Sequence, residues 1–266
     1  MTTYLDRILA AHRAAAASDP RPLEALVEQA SVASPTRGFR ECLEAIAANG
    51  DLGVIAEVKR ASPSKGALAP DLDPAELART YEAGGAACLS VLTDVEFFRG
   101  SPADLVAARA ACHLPVLRKD FTVDARDVCD ARIMGADAVL LIAAALDDDE
   151  LGSFLQLAQR LDLDVLVEIH DEHELARAVA VGADLVGVNQ RDLVTFAVDT
   201  ARAVRMAPQM PDGVVCVAES GIAGPEDAAT LARAGYHAVL VGEHLVTSDD
   251  AGAGVAALRR APHTTA

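Results

Sequence analysis

The chain is short of lysine. Of its 23 basic residues only Lys59, Lys65 and Lys119 are lysines, and every other one is an arginine. With 52% hydrophobic residues and much alanine, such a composition fits GC-biased coding, which replaces Lys by Arg wherever a charge merely dissolves the surface. Lysine then survives where a guanidinium cannot serve, because an ammonium can release its proton near neutral pH when its surroundings lower its pKa. Lys59 and Lys119 both end short apolar runs, Val54 to Lys59 and Leu114 to Lys119. They mark a candidate active site.

Other absences narrow the class. The five cysteines, Cys42, Cys88, Cys112, Cys129 and Cys216, are odd in number and lack CxxC spacing, so they read as small buried residues of a reducing cytosol. Disulfides and a zinc site are not expected. The first residues lack the basic start and apolar core of a leader, and no apolar run is long enough to cross a bilayer. A cytoplasmic protein with no membrane partner is expected. A net charge of −17 argues against nucleic acid, which is bound by clustered Lys and Arg. Any anion site must therefore be local, made from a few aimed cations and backbone N–H groups. No Gly/Ser linker or low-complexity tract divides the chain, so residues 1–266 are expected to form a single domain.

What is present is a repeat. From about residue 53, short β-rich apolar runs alternate with amphipathic, alanine-rich stretches. Strands are expected at 53–58, 87–92, 115–119, 137–142, 164–169, 184–189, 214–218 and 237–241. Helices are expected near 74–84, 102–112, 124–134, 147–160, 171–181, 199–206, 225–234 and 250–259, with left-handed caps at Gly84, Gly135, Gly182 and Gly235. Eight strands and eight crossover helices describe an α/β fold, a (β/α)8 TIM barrel. Residues 1–50 stand outside the repeat as an N-terminal helical extension, with helices near 3–17, 20–30 and 37–49. It is either a plug under the barrel or a lid near its mouth.

In such a barrel the C-terminal strand ends face the reaction. Strand one ends in Glu57 and Lys59, strand three in Lys119, strand five in Glu168, and strand six in Asn189 with Arg191 beyond. Strand seven ends in Glu219-Ser220-Gly221. Residues two apart point the same way along a strand, so all of these converge on one mouth. Each could be an ion pair closing the barrel top, but carboxylates and ammoniums crowded together better describe a pKa-tuned site. Gly221 after strand seven and Gly242-Glu243 after strand eight fall where many barrels bind phosphate through backbone N–H groups. Phe98 and Phe121 either form an aromatic slot beside the mouth or pack in the core; in a chain with only 3% aromatic residues, two beside the mouth stand out.

Other clusters carry bland readings. His170 and His173 open a helix as solvated side chains rather than metal ligands. Asp147 to Glu150 complement a helix dipole. Lys65 is either a loop closing over substrate or a solvated charge.

The run Glu57-Val58-Lys59-Arg60-Ala61-Ser62-Pro63-Ser64-Lys65-Gly66 resembles the signature of the indole-3-glycerol phosphate synthase family. Ser90 to Asp94, Leu117 to Phe121, Val167 to His170, Val188 to Leu193 and Ala218 to Ile222 resemble further family blocks, in family order over nearly the whole chain. The resemblance implies a lyase of tryptophan biosynthesis that needs no cofactor and no metal. Its substrate would be a small anionic phosphosugar-anthranilate, and the enzyme a monomer. It further implies Lys119 as general acid of ring closure, Glu168 as base of dehydration, and Lys59 as carboxylate binder or second acid. Glu57 and Glu219 would orient the ammoniums and hydroxyls, with Asn189 also close to the reacting atoms. Ser62, Phe98, Phe121, Arg191, Leu193, Ser220, Gly221, Gly242 and Glu243 would bind substrate. Gln190, the loop Val95 to Arg99 and Glu243 depart from the family pattern, and an acid at 243 would repel phosphate unless turned away. The alternatives are another phosphosugar barrel such as phosphoribosylanthranilate isomerase, and a barrel that only binds a phosphorylated ligand.

Overall fold

A computed structural model describes residues 3–63 and 65–259; Ser64 of the signature run lies outside them. Eight parallel strands close a barrel in chain order: β1 (Gly53–Val58), β2 (Cys88–Leu92), β3 (Val116–Lys119), β4 (Ala138–Ile142), β5 (Asp164–Ile169), β6 (Leu185–Asn189), β7 (Val215–Glu219) and β8 (Ala238–Val241). β8 pairs back onto β1, with Gly53 opposite Ala238. The expected (β/α)8 barrel is the fold.

Period-two alternation divides each strand between two apolar layers. In β1, Val54, Ala56 and Val58 belong to the shell between strands and helices, while Ile55 belongs to the barrel interior with Leu117, Leu140, Leu166, Leu185, Val217 and Leu240. Continuing that alternation towards the C-terminal ends brings Glu57, Lys119, Glu168, Asn189 and Glu219 onto the inner face. The apolar interior is therefore the floor on which the polar ends stand.

The crossover helices α4 (Pro74–Gly84), α5 (Pro102–Ala111), α6 (Ala125–Ile133), α7 (Asp148–Arg160) and α8 (Glu172–Ala180) begin at Asp73, Ser101, Asp124, Asp147 and Asp171, whose side chains accept from first-turn amides. Asp147 and Glu150 form a reciprocal capping box, which accounts for that acidic run. The expected left-handed cap at Gly84 falls one residue later, at Gly85, with φ +85°. Gly84 is the last helical residue and packs so closely that a β-carbon there would lie 2.6 Å from the Gly252 carbonyl oxygen. The later crossovers are α9 (Arg202–Met206), α10 (Pro225–Arg233), the short α11 (Glu243–Val246) and α12 (Ala251–Arg259). α9 starts later than expected, because Asp199 caps a turn ahead of it by accepting from the Ala201 N–H at 3.2 Å. A small antiparallel hairpin, Ala61–Ser62 with Gly66–Ala67, shapes the loop after β1 and carries no apolar period that would announce it.

The extension is both plug and lid. Its helices are α1 (Tyr4–Ser18), α2 (Leu23–Ser31) and α3 (Phe39–Ala48). α3 closes the bottom: Phe39 and Leu43 are fully buried, and the Arg40 N–H donates to Asp164 Oδ2 at the start of β5, 2.9 Å away. α1 lies across the other end, where Tyr4, Leu5 and Ile8 face the mouth. His12 Nε2 lies 2.9 Å from Asp94 Oδ2, and Arg13 pairs with Glu150 at 2.7 Å.

Candidate active site

The strand ends surround a cavity of about 730 Å³. Every residue singled out from the sequence lines it: Glu57, Lys59, Lys119, Glu168, Asn189 and Glu219 on the inner strand ends, and Ser62, Phe98, Phe121, Arg191, Leu193, Ser220, Gly221, Gly242 and Glu243 around them. Lys65, left open between two readings, also lines the cavity.

Lys119 is the hub. Its Nζ lies 2.8 Å from Glu168 Oε2 and 2.6 Å from Glu219 Oε2. Asn189 Nδ2 donates to the other Glu168 oxygen at 2.9 Å. A second ammonium–carboxylate pair stands nearby, Lys59 Nζ to Glu57 Oε1 at 2.6 Å, and Ser90 Oγ donates to Glu57 Oε2 at 3.3 Å.

The lysine's protonation differs from the expectation. Burial disfavours the ammonium, but the charges of Glu168, Glu219 and Glu57 outweigh it and hold the Lys119 pKa above its ordinary value. The surroundings therefore keep the proton on rather than loosening it. That is the starting state a general acid requires. The two carboxylates are pushed apart. Burial raises Glu219 to about 7, reinforced by the neighbouring Glu168 charge and only partly offset by Lys119. Burial opposes ionisation of Glu168 as well, but Lys119, His170 and Asn189 together hold its pKa low.

Directly after Glu219, Ser220 and Gly221 both adopt positive φ, +67° and +71°. Gly221 is needed, since a β-carbon would collide with Val198. Gln190 Nε2 braces this turn by donating to the Ser220 carbonyl at 2.8 Å, a use for the departure at 190. Glu243 is not turned away: it lies 3.5 Å from Lys65 Nζ and 3.9 Å from Arg191 Nη2, so two cations meet its charge. Gly242 leaves room for the lysine pair, because a β-carbon would run into Glu57 Oε1 and stand 3.0 Å from Lys59 Nζ. Phe98 and Phe121 face each other with centroids 6.1 Å apart.

Sequence reasoning missed the lid residues. Leu5, Ile8 and His12 recur at helical spacing, a face that could have been read as covering something. The sequence reading of His170 as solvated also fails: its side chain is only 12% exposed and faces Glu168 at 3.7 Å.

The model of the family described as indole-3-glycerol phosphate synthase matches residues 5–258. The indole-3-glycerol phosphate synthase of Chlorobium luteolum is 49% identical over 250 residues, spanning 93% of this chain and 95% of that protein. That of Variovorax paradoxus is 48% identical over 264 residues, spanning 97% and 99%. Among solved structures, tryptophan synthase subunit alpha from Legionella pneumophila superposes with a TM-score of 0.63 at 15% identity, over 86% of this chain and 98% of that one. Thiamine phosphate pyrophosphorylase from Pyrococcus furiosus gives 0.60 at 16% identity, over 80% and 95%. At such identities the two structures speak for the barrel alone. With the family model over nearly the whole chain and relatives at close to half identity, the chain belongs to the indole-3-glycerol phosphate synthase family.

Proposed function

We propose that the protein cyclises 1-(2-carboxyphenylamino)-1-deoxyribulose 5-phosphate to indole-3-glycerol phosphate, with loss of carbon dioxide and water. The observation that carries this reading is one ammonium, Lys119, held between the carboxylates of Glu168 and Glu219 at the C-terminal strand ends, inside an open cavity. Lys119 donates its proton to the ketose oxygen as the carboxyl-bearing ring carbon attacks the carbonyl. Carbon dioxide then leaves and the ring regains aromaticity. In the dehydration half, Glu168 removes a proton while an ammonium protonates the departing hydroxyl, a role open to Lys59. Proton traffic of this kind suits groups whose pKa values are set apart by their surroundings.

The substrate phosphate is placed between the Ser220-Gly221 turn and Gly242-Glu243, with Arg191 and Ser62 beside it. Phe98, Phe121 and Leu193 form the slot for the anthranilate ring, under the α1 lid. A Cys/Asp isomerase mechanism gains no support, since the cavity lining includes no cysteine among the described residues. The reading further includes a single-domain monomer working in the cytoplasm without metal, cofactor or nucleic acid. The five unpaired cysteines and the net charge of −17 are in keeping with it.

Turnover of the synthetic substrate, followed by indole fluorescence and carbon dioxide release, tests the reaction. Product formation is expected; a folded protein that binds the substrate without forming product would refute it.

A further inference from the structure

Two carboxylates share one ammonium. Glu168 and Glu219 both reach Lys119, so Lys119 alone does not decide which of them stays ionised. Their other neighbours differ. Glu219 Oε1 is buried without a hydrogen-bond partner among the described residues and abuts Gly187. Glu168 Oε1 accepts from Asn189 and has His170 Nε2 at 3.7 Å, an ion-pair separation rather than a hydrogen bond.

His170 is itself clamped. Its Nδ1 lies 3.0 Å from Glu174 Oε2, and the same oxygen accepts from the His170 backbone N–H at 2.7 Å. The carboxylate on one side fixes a proton at Nδ1. A neutral ring in that tautomer would turn the Nε2 lone pair towards Glu168 Oε1, whereas the imidazolium turns an N–H there. Nε2 is buried and has no hydrogen-bond partner among the described residues, so this electrostatic choice is unrelieved.

We propose that His170, clamped by Glu174, is a positioning residue that selects Glu168 over Glu219 as the ionised carboxylate beside Lys119. This rests on the catalytic reading of Glu168. The charged groups acting on the ring are Glu168 near the end of the preceding β5, Glu174 on α8 and Arg202 on α9, of which Arg202 opposes the imidazolium. Burial also opposes it, yet the two carboxylates prevail and the His170 pKa is raised. Glu168 thus enters the reaction able to accept a proton, while Glu219 is free to carry one near neutrality. Neither partner of Lys119 could take these roles by proximity alone.

Two readouts test this. Histidine NMR titration of the wild type should place His170 above the ordinary imidazole value. Glu168→Gln and Glu174→Gln should each lower it, whether or not the protein turns over. In kinetics, His170→Gln should move the acid limb of kcat/KM to higher pH by on the order of one unit, the displacement expected from removing one nearby charge. His170→Asn serves as a second variant if the first folds poorly. An unmoved acid limb with activity lowered equally at every pH, or a His170 titration indifferent to Glu168→Gln, overturns the proposal. If the wild type itself forms no product, the catalytic reading falls and the titration alone decides the pairing.

Discussion

Gly187 lies directly against Glu219: a β-carbon at position 187 would take the place of Glu219 Oε1 and stand 3.2 Å from Leu166 Cδ1. The inward position of β6 thus carries no side chain because the neighbouring strand's carboxylate fills the space.

Gly187→Ala follows as a probe. The displaced atom is the flexible end of a side chain, so the carboxylate swings and the strand stays. The stability loss should remain within about 1–3 kcal/mol, as for modest overpacking. The kcat should fall on the order of a hundredfold, as for a catalytic group misplaced by about 1 Å. Tm and kcat measured on one preparation check this, and unchanged kcat would mean Glu219 has no part in turnover.

If Gly242 served only as a phosphate-loop glycine, a β-branched substitution would raise KM much more than it lowers kcat. The structure enlarges that expectation, because the same β-carbon strikes Glu57 and crowds Lys59. Gly242→Val should raise KM and lower kcat together. A pure KM effect would show that Glu57 and Lys59 can move aside without cost.

The lid contact has a pH window. Burial disfavours the His12 imidazolium, but Asp94 and Asp120 outweigh it and raise its pKa above 6.5. Burial opposes the Asp94 carboxylate too, yet His12 and the Phe97 and Phe98 amides hold its pKa below 3.8. A raised histidine contributes fully below its unfolded value and loses the contribution as pH rises through the folded one. A depressed aspartate contributes above its unfolded value and loses it as pH falls through the folded one. The Tm difference between wild type and His12→Asn should therefore be widest between the ordinary aspartate and histidine pKa values, and should narrow as pH rises through the raised His12 pKa. A difference independent of pH would show that His12 acts through packing alone.

At the other end, Asp137 joins the plug to the barrel. It is fully buried, accepts from the Arg37 N–H and the Val116 N–H at 2.7 Å each, and pairs with Arg109. Asp137→Ala leaves a guanidinium and two amides without their acceptor. It should cost roughly 3–5 kcal/mol, typical of breaking a buried pair. Urea denaturation reads this, and a loss below about 1 kcal/mol would show that water replaces the carboxylate.

The strand ends were legible because each barrel strand has two buried faces and a strict period of two. Glu57, Lys119, Glu168, Asn189 and Glu219 could be placed on the inner face by counting. What counting could not supply depends on partners distant in sequence. Tyr4 meets Phe97 and Phe196 edge-on, and nothing local to Tyr4 announces this. The division of the extension into plug and lid is long-range in the same way. His170 resembled a solvated helix start because Glu168 and Glu174 enclose it only after β5 and α8 are both formed. The direction of the Lys119 shift depends on three carboxylates from three strands, so a rule about isolated lysines pointed the wrong way.

Proton transfer by Lys119 is tested most directly by kcat of Lys119→Arg, measured beside its Tm. Arginine keeps the cation between Glu168 and Glu219 but does not readily give up a proton. A folded, stable protein with kcat lowered roughly a hundred- to ten-thousand-fold and a modest change in KM is predicted. Near-normal turnover by the arginine variant would contradict it, since position 119 would then act only as a fixed charge.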